Sequence, residues 1–196
     1  MSDYTVLGAL SATLKELLKQ NITLSPDPAL SGVEIHLLSP KEMQEAGHAT
    51  GISLWLYKVS RMAEMVNEPP ERISANQIAR TPLPILLFYL VTPFAPHPET
   101  RHVLLGRVLQ VMNDHAILRG ADLTGSLKGT TDQYRLNLET LSLEELSLVW
   151  EALSEPYQLS VSYMIQLACI DSAEQPVQTG IVLERNAVYS QILSSN

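Results

Sequence analysis

Five histidines are the residues best suited to metal binding or acid/base chemistry in this chain, and their spacing supports neither role. They are His36, His48, His97, His102 and His115. No two of them have the i,i+4 spacing that places two imidazoles on one helix face, and HExxH is absent. Asp114 directly precedes His115, but no GxSxG nucleophile motif accompanies the pair. The sequence therefore predicts no metal site and no catalytic triad.

Paired carboxylates and a cysteine are the next candidates. Glu68 with Glu71, or Glu144 with Glu145, could share a proton as an acid/base pair, but each pair lies in a polar stretch typical of a solvated surface. Cys169 is the only cysteine, so it cannot form an intrachain disulfide or a multi-thiolate metal site. Its place among apolar residues predicts a buried, inert thiol. We expect no catalytic residue and no cofactor.

The glycine-containing segment "GADLTGSLKGTT" has some likeness to a phosphate-binding loop. A P-loop needs Lys and then Ser or Thr directly after its second glycine, whereas Gly125 is followed by Ser126 and Leu127. The segment is interpreted as a flexible surface loop.

The composition is that of a globular protein. It does not favour binding to nucleic acid or to a membrane. The chain has 196 residues, 45% hydrophobic and 17% charged, and a net charge of −8. This length predicts one domain, over residues 3–190. Lys and Arg are scattered, so no basic stripe is available for a phosphate backbone. The amino terminus lacks the pattern of a secretory signal, and the longest apolar run, "LPILLFYLV", is about half of a membrane span. We expect folding in the cytoplasm.

Three segments have the apolar spacing of amphipathic helices. The first covers residues 3–20, with Ser2 or Asp3 as its cap. The second is "HPETRHVLLGRVLQVMNDH", where Pro98 stands near the helix start. The third is "SLEELSLVWEAL", in which Ser142 and Glu145 form a capping box.

Strands are predicted by alternation or by continuous apolar runs. They are "VEIHLL", "GISLWLYKVSRM", "LPILLFYLVTPFA", residues 134–138, "PYQLSVSYMIQLACIDSAEQP" and "TGIVLER". The third is predicted to be the sheet centre and the second to be internal. In the long "PYQLSVSY" strand, one face holds Leu159, Val161, Tyr163, Ile165, Leu167 and Cys169, and Ser160, Ser162 and Gln166 form a polar face. The fold class is α+β, a mixed, mainly antiparallel sheet flanked by helices.

The polar segment from Ala63 to Arg80 departs from what folding alone requires. Pro69 and Pro70 remove backbone donors, so no regular element is predicted there. A long ordered loop in a compact domain usually contacts a partner, and disorder is the alternative.

Five segments, in this order, resemble the amino-terminal domain family of tail-terminator, or cap, proteins of phage tail-like contractile injection systems. They are "ISLWLYKVSR", "LPILLFYLVTPFA", "HVLLGRVLQVMNDHAIL", "LSLEELSLVWEAL" and "PYQLSVSYMIQLACIDS". The most specific parts are "LLGR" and the tandem from "LSLEEL" to "PYQLSVSY". The resemblance covers most of residues 3–172.

The resemblance implies a non-enzymatic, structural role. Such a cap forms a ring, expected here to be a homohexamer, at the end of the particle distal to the baseplate, and it stops polymerisation of the inner tube and sheath. The implied partners are copies of this chain and the tube and sheath proteins. The particle would assemble in the bacterial cytoplasm and could later be released.

The two irregular segments, residues 63–80 and 120–132, are expected to make these contacts. The candidate interface residues are Arg61, Asn67, Glu68, Arg72, Arg80, Arg107, Lys128 and Arg135. Two alternatives stay open: an adaptor or completion protein elsewhere in the particle, and a small ligand-binding domain or hydrolase with an unrecognised pocket.

Overall fold

A six-stranded sheet forms the centre of the computed structural model, which describes residues 3–65, 72–74 and 76–178. Its strand order is β1-β2-β5-β8-β7-β6. The strands are β1 (Ile35–His36), β2 (Gly51–Arg61), β5 (Leu83–Phe94), β6 (Ile117–Arg119), β7 (Gln133–Leu138) and β8 (Val161–Ile170). Only β1 and β2 pair in parallel, and the other neighbours are antiparallel. The predicted α+β class with a mixed, mainly antiparallel sheet is confirmed.

Helices cover both faces of this sheet. They are α1 (Val6–Leu18), α2 (Pro40–Glu45), α3 (Pro98–Asp114) and α4 (Leu143–Leu153). The apolar stripes of α1 and α3 pack in one cluster with Leu87 and Ile165 on a sheet face that we call the α1 face. The stripe of α4 packs with Leu90 on the opposite side, the α4 face. None of the helices in the described part of the chain has the length and apolarity needed to span a membrane.

The three predicted helices form where the apolar spacing places them. The first begins later than expected, at Val6, because the Asp3 carboxylate accepts the Thr5 amide at 2.9 Å before the helix starts. In α3, Pro98 stands at the start, where its missing N–H costs no helical bond. The capping box of α4 is confirmed, with the Glu145 amide donating to Ser142 Oγ at 3.2 Å.

Strand β5 is the sheet centre, as predicted from its continuous apolar run. Leu87 and Tyr89 are fully buried on the α1 face, while Leu90 is fully buried under α4. The prediction that β2 is internal is also confirmed, since β2 lies between β1 and β5. A strand with both faces covered gains from apolar residues at every position, which explains why alternation is weak in β5.

The alternation predicted for the long strand fails at Leu167. The pairing of β8 with β5 shifts between Ile85 and Leu87, so β8 carries one extra residue there. Leu167 takes a positive φ of 69° and is 37% exposed, and Ala168 takes the buried place on the α1 face. Cys169 therefore turns to the opposite face and is half-buried, which corrects its predicted placement in the core.

A second, small sheet corrects the prediction that residues 63–80 hold no regular element. It contains β3 (Arg72–Ser74), β4 (Gln77–Ile78) and β9 (Val177–Gln178) in the order β3-β4-β9. All three strands are antiparallel to their neighbours. The strand predicted in "TGIVLER" lies outside the described residues.

Candidate assembly interface

The structure describes three candidate residues in or next to the polar segment 63–80. Arg61 is exposed at the end of β2, and Arg72 is exposed on β3. Arg80 forms an ion pair with Glu174 at 2.8 Å, with 47% and 71% of the two side chains exposed. An ion pair this exposed contributes about 0–1 kcal/mol, so it leaves Arg80 free to change partners.

Two candidates, Asn67 and Glu68, lie outside the described residues. Of the polar segment, the structure therefore describes only residues 63–65, 72–74 and 76–80. Before residues 66–71 the chain follows the end of β2. After them it enters β3, an edge strand of the small sheet.

Residues 120–132 are packed against α1, which corrects their interpretation as a flexible surface loop. Leu123 and Leu127 are 2% and 1% exposed and belong to the main core. The amide of Thr124 donates to the buried Thr13 Oγ1 at 3.1 Å. Thr5 Oγ1 donates to Ser126 Oγ at 2.7 Å as a second link to the helix. Lys128 alone among the candidates lies here, on the exposed side.

Arg107 connects two helical segments by hydrogen bonding. From α3 its Nε donates to the Asn21 carbonyl oxygen at 3.3 Å, and its Nη1 donates to Gln110 Oε1 at 2.8 Å. Asn21 belongs to the helical turn that continues α1. These bonds give Arg107 a role in holding α1 to α3 whatever it contacts in an assembly.

The described candidates are not brought together into a single site. Arg107 is on α3, over the α1 face, and Arg135 projects from β7 onto the α4 face. Arg72 and Arg80 belong to the small sheet and its flank. We interpret them as members of separate surfaces.

A buried polar network under α4 was missed by the sequence reasoning. Ser160 and Ser162, predicted to lie on the polar face of the strand, are 4% and 2% exposed. Ser160 Oγ accepts the Trp150 indole N–H at 3.2 Å, which fixes α4 on the sheet. Ser162 Oγ donates to Glu139 at 3.0 Å and bonds Tyr57 Oη at 3.0 Å. The signal available in the sequence was a strand serine, Ser160, shortly after the helix that contains Trp150, whose indole N–H it accepts.

Burial keeps the tyrosines around these strands neutral. Desolvation raises the pKa of Tyr57, against the lowering effect of its bond to Ser162. Desolvation likewise raises the pKa of Tyr89 to about 12, although its bond to Ser11 Oγ lowers it. A phenol that stays protonated acts as a hydrogen-bonding anchor, so these residues stabilise the fold and provide no general base.

Three of the five histidines have ring contacts or hydrogen bonds in the structure. The rings of His36 and His48 stack with centroids 4.2 Å apart, and His36 has its pKa lowered by burial and by His48. His115 Nδ1 lies 3.0 Å from the Val111 carbonyl oxygen. No group of three or more His, Cys, Asp or Glu side chains positioned for a metal ion occurs in the part of the chain that the structure describes.

A cleft of about 450 Å³ is a concave surface that could serve the ligand-binding alternative. Its walls include His48, Phe94 and Arg101. The Arg101 Nε already donates to the Ala95 carbonyl oxygen at 2.9 Å. The cleft thus offers one guanidinium and one imidazole, without a paired acid and nucleophile to define a reaction.

Part of the α4 face is not covered by a helix of the described chain. We call this part the open half; its residues are Lys58, Ile117, Arg119, Gln133, Arg135, Asn137, Met164 and Gln166. Cross-strand pairing places these side chains together, since Arg135 lies opposite both Ile117 and Gln166. Lys58 Nζ lies 4.4 Å from the centroid of the Phe88 ring.

Comparison with solved structures found two terminators with this fold. The sheath/tube terminator of an extracellular contractile injection system, PVC, in its extended state has a TM-score of 0.61 and 16% identity, covering 100% of this chain and 66% of that one. The anti-feeding prophage cap, a tube terminating cap, has a TM-score of 0.59 and 15% identity, covering 91% and 60%. The chain thus spans 60–66% of the length of these proteins.

Comparison of sequences points to the same family. A search of curated proteins found no match. The family described as the Pvc16 N-terminal domain matches residues 9–184, which is most of the 196-residue chain. The match begins in α1 and extends beyond the last described strand. The predicted resemblance is confirmed, and the chain belongs to the Pvc16 N-terminal domain family.

Proposed function

We propose that this protein is a structural cap that ends polymerisation of the tube and sheath of a contractile injection system. The observation that carries the proposal is the family match over residues 9–184, together with a fold shared with two proteins described as a sheath/tube terminator and a tube terminating cap.

The proposed assembly is a ring, a homohexamer, at the end of the particle distal to the baseplate. The chain acts as one domain over residues 3–190, without catalytic activity. The segments 63–80 and 120–132 contact neighbouring subunits or the inner tube and sheath, and the interface residues in and around them are Arg61, Asn67, Glu68, Arg72, Arg80, Arg107, Lys128 and Arg135. It assembles in the bacterial cytoplasm on a particle that can be released.

Two structural features make these segments suitable as contact surfaces. The small sheet has strands of two and three residues, and Ile73 is 55% exposed on it. A sheet this small has almost no core of its own, so burial of its apolar residues against a partner would stabilise it. Residues 120–132 are held rigidly by Leu123 and Leu127, so a contact made by Lys128 costs little ordering entropy.

Electron microscopy of particles purified with and without this gene tests the proposal. We expect uniform particles with density for this chain at the end distal to the baseplate, and variable or overlong particles after deletion. Particles of normal length without the gene would refute the terminator role and favour an adaptor elsewhere in the particle. A monomer whose melting temperature rises with a metabolite would favour a binding domain.

Removal of Glu68–Arg72 tests the first contact segment. We expect shorter residence or lower occupancy of the cap on particles, because this removes part of the proposed contact surface while leaving the six-stranded sheet intact. The control is replacement of the same five residues by a Gly/Ser linker of equal length, which should give the same loss. Unchanged occupancy and length in both variants would exclude this segment from the interface.

A further inference from the structure

Two histidines stack at one edge of the main sheet. His36 lies on the edge strand β1, and His48 lies in the segment 46–50 between α2 and β2. Their ring centroids are 4.2 Å apart, with an angle of 32° between the ring planes. The Nε2 atom of His36 is shielded from solvent and has no hydrogen-bond partner in the part of the chain that the structure describes. A charge on this ring would therefore be poorly solvated.

The backbone around the two rings leaves little room for them to move apart. Gly51, at the start of β2, is so close to β1 that a Cβ there would lie 3.1 Å from the Glu34 carbonyl oxygen and 3.3 Å from His36 Cδ2. The same Cβ would lie 3.2 Å from Met43 Cε of α2. The Ile52 amide donates to the Glu34 carbonyl oxygen at 2.9 Å and joins β2 to β1 here. Repulsion between two protonated rings would therefore be relieved only by separating these segments.

Burial and like charge oppose protonation of the two rings. Desolvation is the largest cause that lowers the pKa of His36, followed by repulsion from His48. Lys15, on α1, also lowers this pKa, whereas Glu34, directly before β1, raises it. Arg101 lines the same cleft as His48 and adds a further cation on that side. One carboxylate thus acts against two permanent cations and a second imidazole.

The elements packed against the two rings engage their polar groups elsewhere. The Glu42 carboxylate of α2 accepts the Ser39 amide at 2.7 Å. Ser53, opposite His36 on β2, donates its hydroxyl to a backbone carbonyl oxygen at 2.6 Å. The other charged residues of α2 have opposite signs and are Lys41 and Glu45. Neither element supplies a net negative charge that would stabilise a protonated pair.

We propose that His36 and His48 form an acid-sensitive contact, which we call the histidine pair, that keeps the segment 46–50 against β1 at neutral pH and separates the two when the rings are protonated. Once separated, His36 regains its usual pKa of 6.5. Because its pKa is lower in contact, the contact is fully stable above pH 6.5 and loses stability as the pH falls below that value. Since His48 and Gly47 line the cleft, the cleft loses this wall in acid.

The histidine pair is independent of the proposed terminator role. It lies within one chain, so it is compatible with a ring, and it includes none of the candidate interface residues. A failure to find it would leave the particle-length experiment unaffected.

Hydrogen exchange of the purified chain at about pH 7.5 and about pH 5.5, on either side of the usual histidine pKa, tests this inference. The reporters are the amides of His48 and Ile52, which donate to the Met43 and Glu34 carbonyl oxygens, each at 2.9 Å. After correction for the intrinsic effect of pH, their opening should increase about three- to tenfold at the lower pH, since one proton taken up over one pH unit gives at most about tenfold. The amides of β5 should keep their protection.

Substitution of each histidine distinguishes protonation from loss of packing. His36→Phe keeps a ring against His48 but takes up no proton, so the opening should become nearly independent of pH. His48→Gln removes the neighbouring imidazole, so the increase at low pH should become smaller. His102→Gln, at an exposed histidine of α3, is the matched control and should keep the wild-type pH dependence. Circular dichroism at neutral pH confirms that each variant is folded.

Three results would overturn the proposal. One is opening of the His48 and Ile52 amides that is equal at the two pH values in the wild type. Another is a wild-type pH dependence in His48→Gln, a result that decides the matter even if His36→Phe does not fold. The last is an equal loss of protection in β5, because this would show acid unfolding of the whole domain instead of a local separation.

Discussion

Thr13 links α1 to the segment 120–132, and its replacement by valine should loosen that segment without changing the packing. Thr13 is fully buried, and its Oγ1 accepts the Thr124 amide at 3.1 Å. The two threonine hydroxyls also bond each other at 3.1 Å. Valine has nearly the same shape, so the change removes these bonds and leaves the Thr124 amide without its acceptor.

Two opposing contributions determine how much Thr13→Val changes the free energy of unfolding. A buried donor left without a partner costs about 1–3 kcal/mol. Replacing a buried hydroxyl by a methyl group returns about 0.8 kcal/mol. We expect Thr13→Val to lower the free energy of unfolding by about 0.2–2 kcal/mol, the difference between these two terms. With a urea m-value of about 2 kcal/mol/M, the midpoint should fall by about 0.1–1 M.

Thr13→Ser is the matched control, because it keeps Oγ1 and loses one methyl group. Thr13→Ser should lower the free energy of unfolding by about 1 kcal/mol, because it leaves only a small cavity. Hydrogen exchange separates the two: the Thr124 amide should lose protection in Thr13→Val and keep it in Thr13→Ser. A valine variant as stable as the wild type, with the Thr124 amide still protected, would refute the assignment of this bond as the link.

Two further predictions concern pH and backbone conformation. Burial raises the pKa of Tyr89 from 10.0 to about 12, so the stability that its neutral form provides is complete below pH 10 and lost as the pH rises to about 12. Tyr89→Phe should therefore reduce the alkaline slope of urea stability by about 1.4 kcal/mol per pH unit, and an unchanged slope would contradict the assignment. Ser154 ends α4 with φ 57° and ψ 36°, and Ser154→Gly should raise the melting temperature by about 2–4 °C, by removing left-handed strain of about 1 kcal/mol. Gly125 has φ +60°, and the Cβ of an alanine there would lie 3.6 Å from that of Ala9, so Gly125→Ala should lower the melting temperature by a similar amount. Shifts of the same sign in Ser154→Gly and Gly125→Ala would exclude backbone strain as the cause.

The sequence alone was sufficient to predict those elements that are determined by a local pattern of residues. The spacing of Leu10, Leu14 and Leu18 determines α1, because side chains three and four residues apart share one helix face. The Ser142 and Glu145 pair determines the start of α4 for the same local reason. The continuous apolar run of β5 was enough to place it at the sheet centre, since only a strand covered on both faces favours such a run.

Other features depend on contacts between distant segments, and only the tertiary structure decided them. The extra residue in β8 at Leu167 is a matter of register with β5, which no property of β8 alone encodes. Ser160 and Ser162 have the same polarity whether exposed or buried, and the position of α4 above them decides that they are buried. The open half beside α4 exists because one helix of 11 residues is too short to cover the face of a six-stranded sheet. Charges that are scattered along the sequence become a surface only when the strands are placed in order.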